Sequence, residues 1–228
     1  MDGNTIHPNL IRQTVFHVRD PISALTHFIA FIAAILATPV LLVHAAWQRA
    51  DLPALISFGI FMISMVLLYG ASSAYHTFNL TERGNRVLKK LDHTMIFLLI
   101  AGSYTPVCVI ALRGITGFHL LTLVWSFAAA GVIFKLCWVT CPKWVSSVIY
   151  IVMGWLCVTA MPQIIAELSR GAFLWLLAGG LSYTVGGVVY AIKPRALHQK
   201  AFGPHEVFHI FVMGGSLCHF IFMYGYLL

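Results

Sequence analysis

The chain has 228 residues, 60% of them hydrophobic and only 9% charged, with a formal net charge of +7. Soluble domains carry about 45–50% apolar and about 25% charged residues, so this composition excludes a water-soluble fold and describes a membrane domain. The cationic excess does not describe a nucleic-acid partner either, because the Lys and Arg side chains sit between apolar runs rather than along a soluble face.

Residues 1–23 read as a polar N-terminal arm. They carry Asn4, His7, Pro8, Asn9, Arg12, Gln13, Arg19 and Asp20 and contain no apolar core of the kind a cleaved signal peptide needs. Residues 24–228 then alternate apolar runs with short polar or Gly/Pro breaks. Helices are predicted near Ala24 to Ala46, Pro53 to Tyr75, Thr94 to Leu112, Phe118 to Trp138, Ser146 to Ala166, Phe173 to Ala191, and His205 to Tyr226. Each can cross a hydrocarbon layer about 30 Å thick. The expected fold is an all-α membrane protein, a bundle of seven transmembrane helices.

Three of these spans contain a proline, Pro39, Pro106 and Pro162 in spans one, three and five, where a missing backbone donor can interrupt a helix. Span six carries Gly179, Gly180, Ser182, Gly186 and Gly187, small residues that let a neighbouring helix approach closely. Cys108, Cys137, Cys141, Cys157 and Cys218 lie in or beside the spans without a CxxC pair, so disulfides are not expected.

Because every connection is short, successive helices must alternate in direction. Arg12, Arg19, Arg83, Arg86, Lys89, Lys90, Lys135, Lys143, Lys193, Arg195 and Lys200 then fall on the side of the N-terminus, eleven of the fourteen cations, against Arg49, Arg113 and Arg170 on the other. Excess Lys and Arg marks the cytoplasmic face, so the N-terminus is expected inside and the C-terminus outside. Lys135 lies in the last turn of its span, where its aliphatic stem is expected to carry the ammonium out to the headgroups.

Polar groups within apolar spans are costly and ask for a reason. Span two ends in Ser72, Ser73, Ala74, Tyr75, His76; span three begins Leu91, Asp92, His93; span seven begins His205, Glu206, Val207, Phe208, His209. The alternating topology carries all of these to one membrane face. His205 and His209, four residues apart, share a helix side, as do Ser72 and His76. Three imidazoles, His76, His205 and His209, with one open position are the ligand set of a catalytic Zn2+, and imidazole suits zinc better than calcium or magnesium. Such an ion lowers the pKa of a bound water towards about 7. Asp92 is then a general base or an orienting group, or else an interfacial partner of Lys89 and Lys90. Ser72, one turn deeper than His76, either bonds a substrate carbonyl or water, or bonds its own helix backbone.

With these residues in place, the chain resembles the bacterial haemolysin III proteins of the progestin and adiponectin receptor superfamily over nearly its full length. SSAYHTF at 72 to 78 matches the family's S-x-x-x-H, LDHTMIFLLIAGSYTP at 91 to 106 its aspartate, and HEVFHIFVMGGSLCHF at 205 to 220 its H-x-x-x-H. The resemblance implies seven helices with the N-terminus inside, zinc held by His76, His205 and His209, Asp92 reaching the ion through water, and kinship to metal-dependent membrane hydrolases that act on lipid amides. One departure is at span one, where the family often shows E-x-x-N-x-x-x-H and this chain has Asp20, Ser23 and His27. His27 is expected to support the polar site rather than ligate. His219, about 15 Å of helix beyond His209, is expected outside it, either in a relay with Ser103, Tyr104 and Ser216 or in an interhelical hydrogen bond.

The function expected is a zinc-dependent hydrolase of a lipid amide or ester near the cytoplasmic leaflet, with a membrane lipid as substrate or ligand and Asp92 and Ser72 as catalytic groups. Two alternatives belong to other classes: a sensor of membrane state with structural zinc, and a pore-forming haemolysin. Against the last, no ring of like charges marks an ion path within the spans.

Overall fold

The computed structural model describes residues 18–197 and 202–228. Most of the polar arm, with Arg12, and the loop residue Lys200 lie outside the described residues. Seven spans long and apolar enough to cross a membrane run up and down: Pro21–Trp47 (α1), Leu52–Thr77 (α2), Glu82–Ala111 (α3), Ile115–Cys137 (α4), Lys143–Glu167, Arg170–Ile192 (α7) and Pro204–Tyr226 (α8). The fifth is built from two α-helices, Lys143–Gly154 (α5) and Met161–Glu167 (α6), joined by a 3-10 segment, Leu156–Ala160. The described residues form no strand.

The bundle has an apolar surface around its apolar core. On α1 the residues turned inward are Ser23, Ala24, His27, Ala30, Ala34, Leu41 and Ala45, whereas Leu25, Phe28, Ile29, Ile32, Leu36, Val40 and Val43 are exposed. While Phe58, Phe61, Phe97 and Phe222 fill the centre of the bundle, on this helix mostly small residues meet the neighbours and large apolar ones face outward, because lipid, unlike water, does not drive them inward. The span-six glycines act in this way: a side chain at Gly179 would strike the His219 ring, and one at Gly186 would strike Phe211, both on α8. Accordingly α7 packs most extensively against α8, while α1, α2 and α3 pack in chain order.

Four details depart from the sequence expectation. Span three starts at Glu82 rather than near Thr94, because Thr81 caps it through the Gly84 N–H. Asp92 and His93 therefore sit inside the helix, and Arg83, Arg86, Lys89 and Lys90 ride on its first turns. Pro39 leaves α1 unbroken, whereas Pro106 precedes a π-helical turn, Val107–Ala111, closed by Leu112 N–H donating to the Val107 carbonyl at 2.9 Å. The break in span five falls at Gly154 and Trp155, ahead of Pro162, which occupies the first turn of α6 where its missing N–H costs no bond. Tyr104 bridges this break: its hydroxyl donates to the Gly154 carbonyl and accepts the Cys157 N–H at 2.9 Å.

The fourth concerns Lys135. Its side chain is fully buried and does not rise to the headgroups, because the turn after α4 folds back and offers nearer partners. Nζ donates to Ser146 Oγ at 2.6 Å and lies 3.1 Å from Cys141 Sγ. All five cysteines are free thiols.

Candidate metal centre

The face at which α1 begins, the near face, gathers the polar groups. The chain enters α1 alongside the end of α2: Asp20 N–H donates to the His76 carbonyl at 2.9 Å and Arg19 N–H to that of Thr77 at 3.4 Å. Across the bundle, Glu206 fixes the start of α8, accepting the Gly203 N–H at 2.8 Å and the Ser23 hydroxyl at 2.9 Å. One carboxylate thus ties the first turn of α8 to that of α1 and sets the register at which His205 and His209 meet His76.

His76, His205 and His209 each offer one ring nitrogen, and these three atoms lie within 4.8 Å of one another. His76 Nε2 and His205 Nε2 are 3.2 Å apart. Two nitrogens on one tetrahedral zinc, each at about 2.0–2.1 Å, stand about 3.4 Å apart, so the spacing fits an ion shared between them. His76 and His209 are the most buried of the three, each 2% exposed. The donor set is compatible with zinc.

Behind this trio stand two residues whose companionship no spacing rule reveals. Asp20 Oδ2 lies 2.9 Å from His76 Nδ1, so the carboxylate fixes the ring and leaves Nε2 facing His205. Arg19 shares the same carboxylate oxygen, with Nε 3.6 Å from Oδ2, while its guanidinium bonds the Tyr75 hydroxyl at 3.0 Å and lies over that ring at 4.5 Å. The span-one departure from the family pattern therefore keeps an acid within reach of His76. His27 is buried and stacks on His209, ring centroids 3.6 Å apart and planes within 13°. It is not among the three clustered histidines.

Asp92 and Ser72 line the same cavity as His27, His205 and His209, a space of about 130 Å³ running inward from the histidines between α3, α5, α7 and α8. Asp92 is 8% exposed, and its Oδ2 lies 3.2 Å from His93 Nδ1. Among the described residues neither Lys89 nor Lys90 forms an ion pair with it. The Ser72 hydroxyl is buried and faces the Asp92 carboxylate, short of ideal hydrogen-bond geometry. It does not bond its own helix as Ser57 and Ser64 do on the same helix, at 2.7 Å each.

His219 lies at the deep end of the cavity, packed against Gly179 and edge-on to Tyr183 at 5.4 Å. The relay is not assembled. Ser216 takes the Tyr69 hydroxyl at 2.7 Å and pairs with Tyr183 at 2.9 Å, Ser103 bonds the Ile100 carbonyl at 2.8 Å, and Tyr104 is engaged at the span-five break. The interhelical alternative is the one supported: the His219 ring on α8 faces the Leu176 backbone carbonyl on α7, although neither ring nitrogen reaches ideal hydrogen-bond geometry.

The sequence matches the model of the haemolysin-III related family over residues 16–220. It is 36% identical to Hemolysin-3 of Bacillus cereus over 219 residues, covering 96% of both chains. Against the Hemolysin-3 homolog of Bacillus subtilis it is 37% identical over 207 residues, 90% of this chain and 93% of that one. A more distant likeness, 29% over 206 residues, covers 72% of this chain and 41% of the Adiponectin receptor protein of Drosophila melanogaster. The chain belongs to the haemolysin-III related family, within the progestin and adiponectin receptor superfamily, as a multi-pass membrane protein that in a bacterium resides in the plasma membrane.

Proposed function

We propose that the protein is a zinc-dependent hydrolase that cleaves an amide or ester bond of a membrane lipid at the cytoplasmic leaflet. The observation that carries this reading is one cavity lined by two of three clustered histidines, a buried carboxylate and a buried hydroxyl that faces it. The Lys and Arg excess on the near face supports its placement in the cytoplasm.

His76, His205 and His209 would hold the ion, with Asp20 orienting His76 and His27 bracing His209 by stacking. Zinc, when bound, supplies a Lewis acid that brings the pKa of water towards about 7. Asp92 accepts the proton of the attacking water and returns it to the departing amine or alkoxide, so that the C–N or C–O bond breaks to a carboxylic acid and a neutral leaving group. Ser72 Oγ donates to the carbonyl oxygen as charge develops on it. The apolar walls beyond, among them Leu68, Ile96, Leu99 and Val212, exclude water from the acyl side.

The test is turnover. Zinc-loaded protein incubated with a panel of ceramides, lysolipids and acyl esters releases free fatty acid, while His76→Ala and Asp92→Asn release none above background. Failure of the loaded wild type to release fatty acid from any of them, together with a large loss of thermal stability on chelation, would replace catalysis with a structural role for the metal.

A further inference from the structure

Three of the helices that line the cavity carry a lysine one turn nearer the membrane face than a residue that lines it. On α3 Lys89 precedes His93 by four, on α5 Lys143 precedes Ser147 by four, and Lys193, which closes α7, follows Tyr190 by three. Residues so spaced lie on one side of a helix, so the three ammonium groups ring the near-face end of the cavity. Lys143 leans across it: Nζ lies 4.4 Å from the Tyr190 ring centroid, and that ring stands 5.6 Å from the ring of His205. Lys89 and Lys193 are both close enough for their charge to act on Lys143.

Among the described residues none of the three lysines makes an ion pair. The near-face acids are engaged elsewhere or stand apart. Asp20 and Asp92 serve His76 and His93, and Glu206, whose charge also reaches Lys143, takes the Gly203 N–H and the Ser23 hydroxyl. Glu82 lies two turns of α3 before Lys89. A cytoplasmic excess of Lys and Arg accounts for the side of the membrane these cations occupy, but not for their convergence on one opening. Like charges gathered there repel, and an anion among them relieves the repulsion. A phosphate monoester suits the ring, because it carries close to two negative charges and lysine meets phosphate as a point charge. In a lipid whose acyl group and phosphate sit on neighbouring carbons, carbonyl and phosphorus are roughly 5 Å apart, about one turn of helix. That is the same step that separates the lysines from the lining residues beside the histidines.

We propose that Lys89, Lys143 and Lys193 form a binding site for the phosphate of a lipid headgroup, so that the lipid the protein takes carries a phosphate monoester on the carbon next to its acyl group. This rests on the reading of the histidine site as a lipid hydrolase and goes beyond it by naming the headgroup and the residues that select it.

The test titrates full-length zinc-loaded protein in neutral detergent, by calorimetry, with the dihexyl ether of glycerol phosphate, which has no acyl bond to cleave, with the same ether lacking phosphate, and with inorganic phosphate alone. The wild type is expected to bind the phosphorylated ether more than about fiftyfold more tightly than the plain one, an advantage that shrinks as salt rises. Lys143→Gln is expected to lose about fivefold of it, and a triple variant with Lys89→Gln, Lys143→Gln and Lys193→Gln all of it, while both bind the plain ether and unfold as the wild type does. Arg83→Gln, about 15 Å of helix before His93, is expected to leave the advantage intact. Equal binding of the two ethers by the wild type would overturn the proposal. So would an advantage that survives in the triple variant, since the phosphate would then sit on the metal, or one that Arg83→Gln lowers as much as Lys143→Gln, since the near face would then act only as a diffuse field. Inorganic phosphate binding as tightly as the phosphorylated ether would overturn it in favour of a site for free phosphate. The two readings fail separately: a phosphate preference without lipid turnover removes the hydrolase alone, and equal turnover of phosphorylated and unphosphorylated lipids removes the headgroup site alone.

Discussion

The Asp20 carboxylate stands 2.9 Å from Nδ1 of His76, on the side of the ring away from His205. An acid so placed fixes the tautomer and raises the basicity of the nitrogen left free, and losing such a partner typically weakens metal binding about 10–100-fold. Asp20→Asn is expected to lower zinc affinity within that range, read by competition with a chromogenic chelator, and Asp20→Glu to recover part of it. Unchanged affinity in Asp20→Asn would show the contact to be incidental.

His27 tests whether stacking and ligation are separable. Its ring lies parallel to that of His209, yet His27 is outside the three-nitrogen cluster. His27→Phe keeps a flat ring there and is expected to retain one metal per chain with near wild-type affinity. His27→Ala removes the brace and is expected to lower affinity without abolishing binding. Loss of the metal from His27→Phe would make His27 a ligand.

Much of this was legible in the sequence, and what was not has a common cause. Span number and alternation follow from apolar run length and short connections, and His205 with His209 from a spacing of four on one helix. The convergence of His76 follows from the alternation. The start of α3 at Glu82 was hidden because its first turns carry Arg83, Arg86, Lys89 and Lys90, which a hydropathy reading assigns to a loop, while Thr81 as a cap is a local signal that was available. Asp20 with His76 and Ser23 with Glu206 pair across 56 and 183 residues, distances over which no periodicity speaks. The departure at span one singled out Asp20 and Ser23 without giving their partners. Lys135 departs from the snorkelling expectation because that expectation presumes no nearer acceptor, whereas the turn after α4 supplies Cys141 and the first turn of α5 supplies Ser146.

Lys135 itself yields a prediction about stability. Its ammonium is fully buried and among the described residues has no acid partner, only Ser146 Oγ and Cys141 Sγ. Removing one acceptor leaves a donor poorly satisfied, so Ser146→Ala is expected to destabilise by about 1–3 kcal/mol. Lys135→Met keeps the stem and removes the charge, and is expected to be neutral or stabilising. Thermal unfolding in one detergent ranks the two; Lys135→Met unfolding below Ser146→Ala would contradict the argument.

Tyr104→Phe removes the single hydroxyl that joins α3 to both sides of the span-five break. A loss of about 1–3 kcal/mol is expected from the orphaned Cys157 N–H and Gly154 carbonyl. Amide exchange is expected to quicken at Leu156–Ala160 while the amides of α8 stay protected. Uniform quickening across the bundle would mean that the hydroxyl supports the whole core rather than the break.

The shared ion is tested most directly by metal analysis of purified wild type beside His76→Ala, His205→Ala and His209→Ala, with folding of each verified by thermal unfolding. The expected result is one zinc per wild-type chain and a loss of bound metal in all three variants. Equal metal content in all four proteins, or none in a wild type purified without chelator and supplied with zinc, would contradict the account.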